Sequence, residues 1–131
     1  MGGSSTVPAS CAGSATASCG QPGIYGTLGS AAAANIPGSR DSATSWSDES
    51  GQLWIYGGEG LDSQGDFGQL DDLWRFDPDT EQWTWMGGSS TLPAKCANNS
   101  LNNLCGWPAV YGALGVFAPG ISPGSRVAAL G

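Results

Sequence analysis

The chain has 131 residues, of which 30 are Gly or Pro, so it has room for one small domain and approaches a low-complexity composition. Six Trp argue against full disorder, because disordered chains lack the large apolar side chains that offset the entropy of ordering. A net charge of −7 with only four basic residues excludes the usual nucleic-acid-binding proteins. Membrane insertion is not expected either, because no apolar run is long enough to cross a bilayer.

The two ends of the chain repeat each other. Residues 1–11, MGGSSTVPASC, recur at 86–96 as MGGSSTLPAKC, and residues 19–40 (the first segment) recur at 105–126 (the second segment). The chain thus holds about one and a half copies of a unit of about 85 residues. Such a period is typical of repeat arrays, whose units cannot bury their apolar faces alone. Met1 aligns with Met86, so we expect Met1 to be internal to a longer repeat, with no signal peptide.

We divide the chain into four parts by composition. Residues 1–39 form a first connector, 40–86 a strand-rich block (the strand block), 87–126 a second connector, and 127–131 the start of a further strand. The connectors are expected to be loop-rich, since Gly, Ser, Ala and Pro dominate them.

The cysteines form two local pairs, Cys11 with Cys19 and Cys96 with Cys105. Equivalent pairs in a repeated loop predict two equivalent disulfides, with free thiols and a zinc site as the alternatives. Zinc is the weakest alternative, because the chain has no His and no C-x-x-C motif. Disulfides would place the protein in an oxidising compartment, outside the cell or at its surface. Asn98 begins a glycosylation sequon between the second pair.

The strand-rich block predicts an all-β fold, one four-stranded antiparallel meander flanked by the two connectors. Turn-forming residues separate the apolar stretches, and residues 59–69 are expected to be a polar loop. The predicted strands are Arg40–Trp46, Gln52–Tyr56, Leu70–Phe76 and Trp83–Met86. Large apolar residues alternate with Trp54 and Tyr56, so we expect both faces of the sheet to be covered.

The block resembles a kelch repeat, one blade of a β-propeller. The resemblance lies in the doublet Gly57-Gly58, in Phe76 and Trp83 with six residues between them, and in the hairpin sequence DPDTEQ preceded by LDDLW. It covers about 47 residues, near the kelch repeat length of about 50. The connectors are similar to the long PGVYGTLG-type inserts between blades of some large microbial kelch-repeat proteins.

The kelch resemblance implies structural roles for particular residues. The glycine doublet would let the backbone turn sharply and pack closely, and the aromatic residues would fill the space between neighbouring blades. The residues given such a role are Gly57, Gly58, Trp54, Trp74, Phe76, Trp83 and Trp85.

Catalytic and cofactor sites are not expected. The commonest general base is absent because there is no His, and Asp71 and Asp72 are adjacent strand residues that point to opposite faces. Several acidic residues between 59 and 72 make a weak calcium candidate of Asp62, Asp66 and Asp71. The spacing does not match an EF-hand loop, and a solvated acidic loop is the favoured interpretation.

Two functions follow as hypotheses. The first is a non-enzymatic extracellular structural protein that assembles with itself, head to tail, into a filament, fibre or surface layer. The alternative is a piece of a multi-blade propeller that binds a protein or glycan, with Tyr25, Tyr111 or Trp107 as exposed contacts.

Overall fold

A computed structural model describes residues 19–94, 96, 105–116 and 118–127. Within these residues there are seven β-strands and no helix, so the fold is all-β. The strands are β1 (Arg40–Asp41), β2 (Thr44–Ser47), β3 (Leu53–Tyr56), β4 (Glu59–Leu61), β5 (Phe67–Gln69), β6 (Leu73–Asp77) and β7 (Gln82–Gly87).

The strands form two antiparallel sheets. A four-stranded sheet has the order β2-β3-β6-β7, and a three-stranded sheet has the order β1-β4-β5. The β4–β5 hairpin lies between β3 and β6 in the chain, so it leaves the larger sheet after β3 and returns to it at β6.

Two details of the predicted strands are wrong. The predicted strand Arg40–Trp46 is divided between the two sheets, because Ser42 adopts a positive φ of 52° that ends β1 before β2 begins. The predicted polar loop 59–69 contains β4 and β5, whose central residues Gly60 and Gly68 pair with each other. A Cβ on Gly60 would lie 2.4 Å from the Ser39 carbonyl oxygen, so this sheet depends on close backbone approach rather than on bulky side chains.

Aspartates fix both hairpin turns of the larger sheet. The Asp48 carboxylate accepts hydrogen bonds from the backbone of Ser50 and Gln52 and from Trp54 Nε1, which holds its pKa below the usual range, the Trp54 bond contributing most. Asp77 accepts the backbone N–H of Asp79 at 2.9 Å in the β6–β7 turn. These Asx-type bonds explain why both predicted turns form.

An aromatic core lies between strands β6 and β7 and the first segment. Trp74 is fully buried, Phe76 is buried beside it, and Trp83 and Trp85 are half-buried. The Tyr25 ring lies 4.8 Å from the Trp74 ring and 5.2 Å from the Trp85 ring, in tilted and edge-on arrangements that aromatic pairs favour.

The β2–β3 half of the sheet is more open than the alternation of its residues predicted. Trp46 is 44% exposed, and Trp54, whose ring is parallel to it at 6.0 Å, is half-buried. Leu53 is also exposed. The expectation that both sheet faces are covered therefore does not hold for this half within the described residues.

Candidate functional site

The two segments fold in the same way. In the first, Ile24 and Ile36 exchange backbone hydrogen bonds of 2.8 and 2.9 Å, and in the second Val110 and Ser122 exchange bonds of 2.8 and 3.1 Å. These pairs occupy matching positions, 86 residues apart. The repeated sequence thus specifies a defined local structure, not only a similar composition.

Each segment is closed by the same serine contact. The Gln21 N–H donates to Ser39 Oγ while the Ser39 N–H donates to the Gln21 carbonyl, at 2.8 and 2.9 Å. Trp107 and Ser125 make the same two bonds at the same two distances. Two copies of one structural element are therefore present, and they differ in what surrounds them.

The first segment lies along the β7 edge of the larger sheet. The Gly29 N–H donates to the Trp85 carbonyl at 2.8 Å, and Asn35 Nδ2 donates to the Trp83 carbonyl at 3.0 Å. These bonds cover the backbone of an edge strand, which would otherwise present unpaired groups to another chain.

A buried carboxylate joins the first segment to the sheet. Asp72, fully buried just before β6, accepts the Tyr25 hydroxyl at 2.6 Å and Trp74 Nε1 at 2.7 Å. The Arg40 guanidinium donates to both of its oxygens, at 2.6 and 2.8 Å, in a bidentate ion pair. We call Asp72 and these three partners the Asp72 cluster. Four side-chain hydrogen bonds converge on the Asp72 carboxylate in this cluster.

The Asp72 cluster changes the acidity of its members. Burial, the nearby negative charge of Asp72 and the hydrogen bond to it all raise the pKa of Tyr25 far above the usual range. Burial disfavours the charge of Arg40, but the hydrogen bond and ion pair with Asp72 outweigh it and raise the pKa of Arg40. Tyr25 therefore stays a hydrogen-bond donor and Arg40 a cation at all ordinary pH values.

The second segment contacts the same strand block at a different place. The Gly58 N–H donates to the Arg126 carbonyl at 2.8 Å, the Arg126 N–H donates to the Leu70 carbonyl at 3.3 Å, and the Gln69 N–H donates to the Cys105 carbonyl at 2.8 Å. The Tyr56 hydroxyl donates to the Gly124 carbonyl, and burial raises the pKa of Tyr56 to about 12. One strand block thus binds one segment on each side.

The glycine doublet makes the second of these contacts possible. Gly57 and Gly58 have φ of 63° and 94°, and a Cβ on Gly57 would lie 2.6 Å from the Arg126 carbonyl oxygen. A Cβ on Gly58 would lie 2.4 Å from the Asp41 carbonyl oxygen. Side chains at either position would strain the backbone. A side chain on Gly57 would also meet the second segment, whereas one on Gly58 would meet the strand block itself.

Matching residues of the two segments differ sharply in exposure. Tyr25 is 5% exposed, whereas Tyr111, its counterpart, is 82% exposed. Arg40 is buried against Asp72, whereas its counterpart Arg126 has an exposed side chain. The expectation that Tyr25 is an exposed contact is therefore wrong, because its ring and hydroxyl are both used in the core.

Two carboxylates of the calcium candidate, Asp62 and Asp71, bind backbone N–H groups. Asp62 caps a turn and accepts the backbone N–H groups of Gln64, Asp66 and Leu92. Asp71 accepts the Ser89 N–H at 3.0 Å, and burial raises its pKa. In the part of the chain that the structure describes, no three acidic, Cys or His side chains are placed to share a metal ion.

The disulfide prediction is confirmed for the second cysteine pair. Cys96 and Cys105 are bonded, and both pack with Leu70 and Leu92 in a small buried cluster. Cys19 is also disulfide-bonded, while Cys11 and the sequon residue Asn98 lie outside the described residues.

The described residues contain no helix of the length and apolar character that a bilayer span requires. Comparisons with protein-family models, curated proteins and solved structures give no match for this chain. Its function is therefore inferred from its own residues and their contacts.

Sequence reasoning missed the Asp72 cluster, although a signal was present. Tyr and Arg stand fifteen residues apart in both segments, at 25 and 40 and again at 111 and 126. A spacing that recurs in both copies of a repeat predicts a common role for the two residues, and in the first segment both residues bind one carboxylate, Asp72.

Proposed function

We propose that this chain is a non-enzymatic structural repeat protein whose units join head to tail, through their segments, into a filament, fibre or surface layer. One observation carries the proposal: a strand block binds one copy of the segment on each side, and the second copy leaves Tyr111 and Arg126 exposed. A unit in which one copy of the segment has Tyr and Arg buried and the other copy has the same two residues exposed is suited to propagation.

A single segment has the hydrogen-bonding groups to bind two strand blocks at once. The Leu61 N–H donates to the Ser39 carbonyl, so Arg40 and Gly60 form a non-hydrogen-bonded pair and the Arg40 N–H and C=O point away from β4. In the second segment these same two groups, on Arg126, bond to Leu70 and Gly58. At this arginine position of a segment, the backbone can therefore bind the preceding strand block while the side chain binds the following one.

The composition and the cysteines support the rest of the proposal. The kelch-like features of the strand block fit a unit that needs neighbours, since about 47 residues cannot supply a stable core alone. The Cys96–Cys105 disulfide fits an oxidising, extracellular or cell-surface location. Whether successive units close into a propeller-like ring or extend as a filament depends on the rotation between them.

The test is the size and shape of the full chain across concentration. We expect light scattering after size exclusion to show association as the concentration approaches the millimolar range, and negative-stain microscopy to show rings or filaments. Mass spectrometry of the denatured material gives the mass of the assembling chain, for comparison with the 13.2 kDa of these 131 residues. A chain that stays folded and monomeric throughout this range contradicts the proposal.

A second candidate is a binding module that is part of a multi-blade propeller. The parallel, partly exposed rings of Trp46 and Trp54 favour it, because aromatic side chains are enriched at contact surfaces. Screening Trp46→Ala against the parent chain on a glycan array tests it, and equal binding profiles would count against this candidate.

A further inference from the structure

We propose that Tyr111 and Arg126 of one molecule bind the Asp72 carboxylate of a second copy of this chain, in place of that copy's Tyr25 and Arg40. The inference rests on the proposed head-to-tail assembly and identifies its interface. The occupant of the exposed face of the second segment is thus the β6–β7 side of another strand block.

The first segment already makes the proposed contacts within one molecule. It has the same Tyr and Arg at the same spacing, and its backbone has the same hydrogen-bonding pattern as the second segment. A second segment placed on another block in the same pose would bring the Tyr111 hydroxyl and the Arg126 guanidinium to the Asp72 oxygens. Such charge-assisted bonds are about twice as strong as neutral ones.

Matching residues of the two segments also differ in exposure at the position that docking would cover. Tyr111 is far more exposed than Tyr25, whereas Val110 and its counterpart Ile24 are both 51% exposed. Val110 therefore lies outside the docking face, although it is adjacent to Tyr111. This pair of neighbours gives a matched test and control.

The two segments are not equal competitors for the site. Asn35 donates to the carbonyls of Ser30 and Trp83, at 2.9 and 3.0 Å, but its counterpart in the second segment is Ile121, which has no such donor. The first segment is also tethered to its own block, with an effective concentration of roughly millimolar. Displacement of the first segment by the second segment of another molecule should therefore need a high protein concentration, or a first segment that binds its own block more weakly.

The experiment compares variants of the full chain by light scattering at concentrations at which the parent chain associates. We expect Tyr111→Ala to weaken association at least about tenfold, the effect of losing a buried aromatic contact with its hydrogen bond. Val110→Thr should leave association unchanged. Both residues are exposed in the single chain, so neither variant should lose its fold.

A second arm weakens the competing segment. Tyr25→Phe keeps the aromatic packing but removes the hydroxyl that binds Asp72, so it should associate at lower concentration than the parent. Adding Tyr111→Ala to Tyr25→Phe should reverse this gain. Association that is equal in Tyr111→Ala and Val110→Thr overturns the inference while leaving head-to-tail assembly intact. No association of the parent or of Tyr25→Phe overturns both.

Discussion

Replacing Asp72 with Asn tests how far the fold depends on one buried carboxylate. The change keeps the shape of the side chain but removes the charge that faces Arg40, whose side chain is almost fully buried. It also places an amide N–H₂ among donors, since Tyr25, Arg40 and Trp74 all donate to this group. The substitution therefore leaves a buried cation without its partner.

The expected loss is large compared with the stability of a small domain. Removing one member of a buried ion pair costs about 3–5 kcal/mol, against a total of about 5–15 kcal/mol for a typical domain. At roughly 3–5 °C for each kcal/mol in a chain of this size, the melting temperature should fall by roughly 10–25 °C. Thermal unfolding, monitored by Trp fluorescence, measures this fall in melting temperature.

Asp71→Asn is the matched control. Asp71 is the neighbouring buried carboxylate, but burial already raises its pKa, and its Oδ1 accepts only a backbone N–H that an Asn oxygen can also accept. We expect a change within about 1 kcal/mol. Equal effects of the two substitutions would refute the assignment of Asp72 as the link between segment and sheet.

Three further predictions concern the glycine doublet, the disulfide and alkaline pH. Gly58→Ala should cost roughly 2–4 kcal/mol in urea unfolding, because a Cβ there meets the Asp41 carbonyl at a positive φ. Gly51→Ala, at a positive φ with open space around it, should cost only roughly 1–2 kcal/mol, and equal costs would contradict the steric argument. Replacing Cys96 and Cys105 together by Ser should lower stability by roughly 2–3 kcal/mol, the value for closing a loop of their separation, and a loss below about 1 kcal/mol would contradict it. Because burial raises the pKa of Tyr56 to about 12, its contribution should be complete below the unfolded pKa of about 10 and be lost as pH rises through 12. Unfolding free energies of Tyr56→Phe at pH 9 and pH 11 should therefore decline less than those of the parent, and parallel declines would contradict the assignment.

The larger sheet could be predicted because its information is local. Strand β3 is specified by the apolar stretch around Trp54 and Ile55. Each hairpin turn is specified by an aspartate, Asp48 or Asp77, whose carboxylate bonds to groups only a few residues away. The β4–β5 hairpin could not, since Gly60 and Gly68 are poor strand formers that pair only because neighbouring backbone approaches closely.

The Asp72 cluster was beyond prediction for a different reason. Tyr25 and Asp72 are 47 residues apart, and no pattern within either stretch reveals that they meet. Asp72 stands beside Asp71 in an acidic stretch, which favours the interpretation of solvated charge. Only the repetition of Tyr and Arg in both segments indicated that these two residues act together. It gave no indication that the acceptor of their hydrogen bonds is Asp72.

The disulfide has a practical consequence for attaching cargo. Cys19 follows Cys11 by eight residues and Cys105 follows Cys96 by nine, yet the same serine contact closes each of the two segments that begin at these cysteines. Lengthening the stretch between two linked cysteines costs little free energy, because the entropy of closing a loop grows only slowly with its length. An epitope or reporter peptide grafted between Cys96 and Cys105 should therefore be carried without disturbing the segment that follows, once per subunit.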